Sequence, residues 1–208
     1  MELTETSIRD FLKILASEAP APGGGSVSAL NGAMGSALSA MVARLTLGRE
    51  KYKDKELIMK EILEKAEELM DLLAAKVDED TKAYNRVAEV FKMPKETEEQ
   101  KAERKKAMQE ALKHAALVPF SVMELCVDAL HLFEKAVGNF NESAASDLGV
   151  GALCLKAALC GAWLNVKINL GSIADEAFVK EFENRGKKLV ELGTAMADSI
   201  YQKVLESL

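Results

Sequence analysis

Several residue types are scarce in this 208-residue sequence, and each scarcity excludes a class of protein. Aromatic residues make up only 5% of the chain, which disfavours a β-sandwich or a β-barrel. The 3 cysteines form no CxxC pair, and together with 2 histidines they do not make a zinc-ligand set. We therefore expect a reduced, cytoplasmic protein that holds no metal. The net charge of -6 argues against a general nucleic-acid binder.

The residues that are abundant favour one helical domain. Hydrophobic residues make up 49% of the chain, so it is not disordered, and its length suffices for one substantial domain spanning residues 1–208. Alanine, leucine, glutamate, lysine and methionine are plentiful, and these residues favour helix. The beginning of the chain is acidic and amphipathic rather than a basic, hydrophobic leader. Two stretches of low charge, 26–47 and 148–173, are rich in small and polar residues, so we expect core helices and no membrane association.

Apolar residues recur at intervals of three or four along most of the chain, and no segment shows the alternation of a strand. We predict an all-α bundle of about six to eight helices. The predicted helices span residues 7–17, 26 to about 47, 57–91, 97 to about 119, 120–140, 146 to about 170, and about 175 to 208. The predicted caps are Ser26, Ser146 with Asp147, and Thr97 paired with Gln100 in a capping box. Pro119 is expected to end or kink its helix.

The helix predicted at 26–47 carries two different faces. Large apolar residues form one stripe, and small residues form the other at Ser28, Gly32, Ser36 and Ser39. Small residues let a second helix approach closely, so we expect this helix to pack on more than one side. The helix at 146–170 is apolar almost all round, which places it at the centre of the fold. Because one layer of neighbours does not cover such helices, we expect a homodimer with a helical interface.

A glycine-rich turn precedes the helix at 26–47. Its residues are Pro22, Gly23, Gly24, Gly25 and Ser26. Glycine-rich backbone at a helix N-terminus exposes N–H groups and the positive end of the helix dipole, which suits an anionic ligand. No GK[ST] follows, so this is not a P-loop, and no strand precedes it, so it is not a dinucleotide-binding turn. The residues alone fit a ligand-binding turn and a tight, close-packed turn equally well.

Asp80 occupies a position on the helix 57–91 where the apolar spacing requires a core residue. The stripe consists of Ile58, Ile62, Ala66, Leu69, Leu73, Val77, Asp80, Tyr84, Val87 and Phe91. A carboxylate at such a position costs several kcal/mol unless it is paired or protonated. Two explanations fit this residue: a functional acid, which we favour, and a structural ion pair with a lysine or arginine of a neighbouring helix.

The helix at 146–170 carries a second group of polar candidates. Asn165 and Asn169 are four residues apart and share one helix face. Buried asparagines need hydrogen-bond partners, which could be a polar ligand ring or another helix. Lys156 lies on another line, and its ammonium could attract a ligand carboxylate or extend to solvent. Asp147 is a candidate acid, although an N-cap role also explains it.

Several short motifs follow one another along the chain. They are 21–27, 32–35, Met41-Val42, Val77-Asp78 with Asp80 and Ala83, Pro94-Lys95 with Glu99 and Lys101, Val118-Pro119, Ser146-Asp147 with Val150, Gly161-Ala162, Asn165-Val166, 168–170 and 175–178. In this order they resemble the cyclodeaminase domain of formiminotransferase-cyclodeaminase over nearly the whole chain. Tyr84 departs from the pattern, in which phenylalanine is usual, and these 208 residues hold no formiminotransferase domain.

The resemblance implies an all-α homodimer with a tetrahydrofolate site in a cleft between subunits. The implied reaction converts 5-formiminotetrahydrofolate to 5,10-methenyltetrahydrofolate and releases ammonia. A methenyltetrahydrofolate cyclohydrolase and a non-catalytic folate-binding module are the alternatives. No metal and no cofactor beyond the folate substrate is expected, and a separate formiminotransferase is an expected partner.

The resemblance also suggests roles for individual residues. Asp80 is then the expected catalytic carboxylate, for proton transfer or for stabilising the cationic carbon, and Asp147 is the second candidate. The expected substrate-binding residues are Gly23, Gly24, Gly25, Ser26, Arg44, Lys156, Asn165 and Asn169.

Overall fold

The computed structural model of the protein describes residues 2–208, and within them every regular element is helical. This confirms the predicted all-α fold. Six α-helices follow one another as α1 (Ile8–Leu15), α2 (Gly24–Thr46), α3 (Glu56–Phe91), α4 (Glu98–Ala136), α5 (Ala145–Leu170) and α6 (Glu176–Ser207). Short 3-10 helices at Leu3–Glu5, Glu50–Lys55 and Glu142–Ala144 precede α1, α3 and α5.

Helices α2 and α5 lie antiparallel and in close contact at the centre of the bundle. Gly24 at the start of α2 lies against Asn165 near the end of α5, and Gly35 lies against Leu155 further along. A Cβ on Gly35 would come within 2.7 Å of the Leu155 side chain, so only glycine permits this approach. α3 packs on another side of α2. The small-residue face therefore brings helices together on more than one side, as predicted.

The outward sides of α2 and α5 carry large apolar residues that no other helix covers, and we call them the α2–α5 face. Its exposed members are Met34, Met41, Val150, Leu153, Leu164 and Ile168. Leu164 and Ile168 expose 70% and 75% of their surface. The opposite side of α5 is buried in the core, so this helix belongs to the core on one side and is open on the other.

Two helices of residues 2–208, α4 and the segment Glu142–Leu170 that contains α5, are long and apolar enough to cross a membrane by length and composition. The apolar window of α4 is 67% buried inside the protein, and that of α5 is 44% buried. The exposed part of the second window belongs to the α2–α5 face.

Of the two effects expected of Pro119, an end or a kink of its helix, the end is wrong, because α4 runs through this residue. Proline has no N–H, so the carbonyl four residues earlier, that of Ala115, loses its helical donor. The Asn169 side chain of α5 donates from Nδ2 to the Ala115 oxygen at 2.9 Å. A neighbouring helix thus supplies the missing hydrogen bond, and the chain remains helical across the proline.

Two of the predicted N-caps are also wrong. Gly23 is the N-cap of α2, so Ser26 lies inside the first turn of that helix. Ala144 is the N-cap of α5, so Ser146 and Asp147 lie inside its first turn. In α5 the preceding 3-10 turn starts the helical path earlier than the polar pair suggests. In α2 the Ser26 hydroxyl is used for contacts with α3, described below.

The other local signals are confirmed. Thr97 and Gln100 form the predicted capping box at the start of α4. The last helix begins at Glu176, and its N-cap is Asp175, whose Oδ1 accepts the N–H of Phe178 at 3.1 Å. The bounds of α3 agree with the prediction to within one residue, and Gly48 follows α2 with a positive φ of 73°.

The N-terminal segment is held to the bundle by Asp78 of α3. Leu3 N–H donates to Asp78 Oδ1 at 2.6 Å, and the Thr4 hydroxyl donates to Oδ2 at 3.0 Å. Asp78 is buried, so these donors replace the water that its carboxylate loses. Only Phe11 of the apolar residues on α1 is buried, and Ile8 and Leu12 are exposed.

Candidate active site

The N-terminal end of α2 lies directly against the middle of α3, where Asp80 is located. A Cβ placed on Gly25 would come within 2.1 Å of Asp80 Oδ1 and 2.5 Å of its Cγ. Real Cβ atoms do not approach other atoms so closely, so glycine at position 25 is what lets the carboxylate occupy this place. The glycine turn and Asp80, predicted as separate candidates, therefore belong to one site.

Ser26 joins the two helices by hydrogen bonds. Its Oγ lies 3.0 Å from Asp80 Oδ2, 2.9 Å from Val77 O and 3.3 Å from Thr81 Oγ1. The backbone N–H of Ser26 has no partner within its own helix and, beside the carboxylate, acts to lower the pKa of Asp80. The carboxylate of α3 thus accepts a hydrogen bond from the Ser26 hydroxyl in the first turn of α2.

Opposing influences set the protonation of Asp80. Partial burial disfavours the charged form and raises the pKa of the Asp80 carboxyl above its ordinary value. The side-chain and backbone hydrogen bonds from Ser26 act in the other direction but do not cancel the effect of burial. A carboxyl with a raised pKa is a better proton donor and acceptor near neutral pH. No lysine or arginine among residues 2–208 pairs with Asp80, so the ion-pair explanation has no support there.

Asn165 of α5 lies on another side of the same helix terminus. A Cβ on Gly24 would lie 3.3 Å from Asn165 Nδ2. This Nδ2 donates to Gly161 O at 2.9 Å, and no donor among residues 2–208 reaches the Asn165 side-chain oxygen. Asn165 is only partly buried. It therefore presents a hydrogen-bond acceptor beside the glycine turn, next to Asp80.

Asn169 lies one turn further along α5, and its amide has structural partners. Its Nδ2 donates to Ala115 O of α4 and to Asn165 O, each at 2.9 Å. It therefore supports both the α4 backbone at Pro119 and the helix turn that carries Asn165. Of the two sources of partners that the sequence left open, another helix is the one observed for its Nδ2.

The structure does not bring Asp147 to this site within one protomer. Asp147 is at the start of α5 and Asn165 near its end, and at 1.5 Å per residue they are about 27 Å apart along the axis. Asp147 makes no side-chain hydrogen bond with residues 2–208. A shared site with Asp80 would require a second copy of the chain.

Two predicted cationic residues are also distant from Asp80 and have acidic partners. Arg44, near the end of α2, pairs with Glu67 of α3. Lys156, in the middle of α5, pairs with Asp198 of α6 at 2.6 Å. Both pairs connect neighbouring helices near the surface, and neither cation reaches Asp80 within one protomer.

The sequence did not predict the groove beside the site. This apolar groove has a volume of about 350 Å³ and lies between the N-terminal segment, α1, α2 and α3. It is lined by Leu3, Thr4, Thr6, Ile8, Phe11, Leu12, Leu15, Val27, Leu30, Asn31, Met34 and Val77. Val27 and Val77 connect it to the Ser26 hydrogen bonds. The available signal was the apolar face of α1, whose residues Ile8, Phe11, Leu12 and Leu15 line this groove.

Thr81 was also missed, although it directly follows Asp80 in the sequence. Its hydroxyl lies close enough to Ser26 to exchange a hydrogen bond with it. Among residues 2–208, no group of three or more His, Cys, Asp and Glu side chains is placed to hold a metal ion.

Known proteins resemble this chain over nearly its full length. A methenyltetrahydrofolate cyclohydrolase of Methylorubrum extorquens is 39% identical over 198 residues, which cover 95% of each chain. A formimidoyltransferase-cyclodeaminase of Gallus gallus is 34% identical over 196 residues, which are 93% of this chain but 36% of that protein. The chain therefore spans about a third of the bifunctional relative.

A solved structure has the same fold. The crystal structure of formiminotetrahydrofolate cyclodeaminase from Thermotoga maritima superposes with a TM-score of 0.83 at 33% sequence identity. The superposition covers 100% of this chain and 98% of that chain. The family model described as formiminotransferase-cyclodeaminase matches residues 7–188. The chain that places Asp80 against its glycine turn thus belongs to the formiminotransferase-cyclodeaminase family of enzymes.

Proposed function

We propose that the protein is a formiminotetrahydrofolate cyclodeaminase, which closes 5-formiminotetrahydrofolate to 5,10-methenyltetrahydrofolate and releases ammonia. The observation that carries this proposal is the partly buried carboxylate of Asp80 in α3, which lies against the first turn of α2 and is hydrogen-bonded to it. Its raised pKa suits a group that must accept a proton and then return it.

The reaction divides into an addition and an elimination. In the addition, the lone pair of N10 forms a bond to the carbon of the protonated formimino group on N5, and the carbon–nitrogen π bond breaks with its electron pair on the formimino nitrogen. The N10 proton passes to the Asp80 carboxylate. In the elimination, the Asp80 carboxyl returns that proton to the amino group of the tetrahedral intermediate. The carbon–nitrogen bond then breaks with its electron pair on nitrogen, ammonia leaves, and the methenyl cation remains. A carboxylate nearby also stabilises this cation.

The neighbouring groups provide orientation. The Asn165 side-chain oxygen can accept an N–H from the pterin edge, because no donor in the described chain occupies it. Gly24 is exposed and adds no side chain of its own, so a planar ligand can approach the helix terminus beside Asn165. Holding N10 and the formimino carbon in contact makes the closure effectively intramolecular.

A second candidate, methenyltetrahydrofolate cyclohydrolase, is favoured by the 39% identity with the Methylorubrum extorquens protein of that name. This reaction uses the same carbon and a similar tetrahedral intermediate. Water adds to the methenyl carbon and loses one proton to Asp80. The bond from that carbon to N5 then breaks with its electron pair on N5, which takes the proton back from Asp80, while the hydroxyl loses its proton to solvent and becomes the carbonyl of a formyl group on N10. The same carboxylate therefore serves either reaction.

The test is absorbance at the methenyl-tetrahydrofolate band with each substrate. Asp80→Asn is the decisive variant, and Glu79→Gln is its matched control. The control neutralises the adjacent carboxylate, that of Glu79, which pairs with Lys76. Removing a general base is expected to lower turnover by about 100-fold or more, with no such loss in the control. Retained turnover in a folded Asp80→Asn variant would remove Asp80 from the mechanism. A folded wild-type protein inactive on both substrates would instead favour the non-catalytic folate-binding module.

We further propose that the protein is a homodimer that pairs through the α2–α5 face. The exposed residues of this face are apolar and carry no charge for a charged partner to recognise, which fits a self-complementary contact. Leu164 is adjacent to Asn165, so a second copy seated there would border the site. A separate formiminotransferase remains the proposed source of substrate.

The oligomer is tested by the mass of the protein in solution. Leu164→Glu introduces a charge on the face, and Leu57→Glu introduces the same charge at a leucine that is even more exposed, 85% accessible, at the start of α3. We expect a dimer for the wild type and for Leu57→Glu, and a monomer for Leu164→Glu. A monomeric wild type would overturn the proposed interface.

A further inference from the structure

The Ser26 side chain is fully enclosed, with 0% of its surface accessible. A ligand on the molecular surface therefore cannot reach its hydroxyl, whereas the backbone of Gly24 on the same helix turn is exposed. The hydroxyl faces inward to three oxygens, those of Asp80, Val77 and Thr81. Although the sequence suggested a substrate contact, the geometry directs Ser26 to Asp80.

A serine hydroxyl carries one proton and can rotate, so it can serve two arrangements. When Asp80 is ionised, the Ser26 O–H donates to Asp80 Oδ2 over 3.0 Å. When Asp80 is protonated at Oδ2, that O–H donates to Ser26 Oγ, and the Ser26 O–H turns to Val77 O at 2.9 Å. Both arrangements leave every one of these buried groups with a partner.

Thr81 completes the arrangement. Its Oγ1 lies 3.3 Å from Ser26 Oγ, and either hydroxyl can donate to the other. When Ser26 donates to the carboxylate, Thr81 can donate to the Ser26 oxygen, which strengthens the Ser26 O–H as a donor. The ionised carboxylate then receives support from both hydroxyl groups.

We propose that Ser26 is a positioning residue that holds Asp80 in place in both of its protonation states by reversing the direction of one hydrogen bond. This inference rests on the proposed function, in which Asp80 accepts a proton and then returns it. The reversal moves hydrogens by rotation alone, so the carboxylate can change its charge without leaving the position that Gly25 provides.

The decisive variant is Ser26→Ala, and Ser36→Ala is the matched control. Ser36 is also in α2 and also fully buried, but its hydroxyl has no partner in the structure. For Ser26→Ala we expect kcat to fall about 10-fold or more while KM stays within about twofold, because a buried hydroxyl does not touch substrate. The acid limb of the kcat profile should move up by about one pH unit, because the ionised carboxylate loses a donor. Ser36→Ala should show neither change.

A direct titration separates this inference from the proposed function. The Asp80 carboxyl is followed by 13C NMR against pH in the substrate-free wild type, in Ser26→Ala and in Ser36→Ala. An upward shift of the Asp80 pKa in Ser26→Ala alone supports the pairing even if neither folate is turned over. If Ser26→Ala does not fold, Ser26→Cys keeps a weak donor and is expected to show a smaller upward shift.

Two outcomes would overturn the proposal. One is an Asp80 titration that Ser26→Ala leaves unchanged. The other is a Ser26→Ala enzyme whose KM rises while kcat and the acid limb stay as in the wild type, because that result would make Ser26 a substrate contact. If the wild type is inactive on both substrates but the Asp80 pKa still shifts upward in Ser26→Ala, the proposed function is rejected and the role of Ser26 is not.

Discussion

Replacing Gly25 by alanine should misplace the Asp80 carboxylate and little else. The new Cβ would lie 2.1 Å from Asp80 Oδ1, whereas ordinary contacts begin near 3.4 Å. The carboxylate must therefore move by about 1.3 Å, or the start of α2 must shift by a similar distance. A movement of this size removes the hydrogen bond from Ser26 that spans 3.0 Å.

The expected effect is large on catalysis and small on stability. A misplacement of about 1 Å in a catalytic group lowers the rate by about 100-fold, which corresponds to about 2.7 kcal/mol of activation free energy. The free energy of unfolding changes less, because alanine gains about 1 kcal/mol of helix propensity over glycine and so offsets part of the strain. We expect kcat/KM to fall about 100-fold while the melting temperature shifts by only a few degrees.

Gly32→Ala provides the comparison. It makes the same change in the same helix, where the added Cβ would lie 2.9 Å from a Leu73 methyl group in the core. This variant should lose stability but keep kcat/KM within a few-fold of the wild type. The assay is methenyl-tetrahydrofolate absorbance together with thermal unfolding. A folded Gly25→Ala enzyme with wild-type kcat/KM would refute the idea that glycine is needed here to place the carboxylate.

Three further predictions concern stability. Burial raises the pKa of Asp80, so the contribution of this carboxyl to the free energy of unfolding is present at low pH and is lost as pH rises through its folded-state pKa. The stability gained by Asp80→Asn should therefore grow from pH 4 to pH 7 in urea unfolding. A gain independent of pH would contradict this. Asn169→Ala should lower the free energy of unfolding by about 1–3 kcal/mol, because Ala115 O loses its donor. The loss should be smaller in a Pro119→Ala background, where the backbone N–H of residue 119 can donate to Ala115 O. Equal losses in both backgrounds would exclude this coupling. Asp78→Ala should speed hydrogen exchange in residues 2–15 more than elsewhere, and unchanged exchange there would show that other contacts hold the segment.

The local sequence was sufficient to predict most of the helices and to identify Asp80 as an unusual residue. The Thr97–Gln100 capping box and the limits of α3 were predictable, because capping and apolar periodicity depend on residues within one or two turns. Asp80 was identifiable for the same reason, as a carboxylate on an otherwise apolar stripe. The family resemblance then pointed to a folate reaction.

The details that failed depend on neighbours distant in sequence. Ser26 looked like an N-cap, but its hydroxyl bonds to α3, 54 residues away. Pro119 looked like a helix end, but Asn169 of another helix replaces the lost donor. The place of Arg44 also depends on the fold: α2 carries it about 30 Å from the glycine turn of its own protomer, and its role as a substrate contact stays a prediction.

The sequence by itself determined that this chain is helical, where most of its helices lie, and that Asp80 has an unusual place in one of them. Only the tertiary structure decided that Asp80 meets Gly25 and Ser26, and that Arg44 and Lys156 do not. Helix formation depends on hydrogen bonds and side-chain spacing over a few residues. The meeting of two helices depends on their relative register, which is set by the packing of many small contacts along α2, α3 and α5.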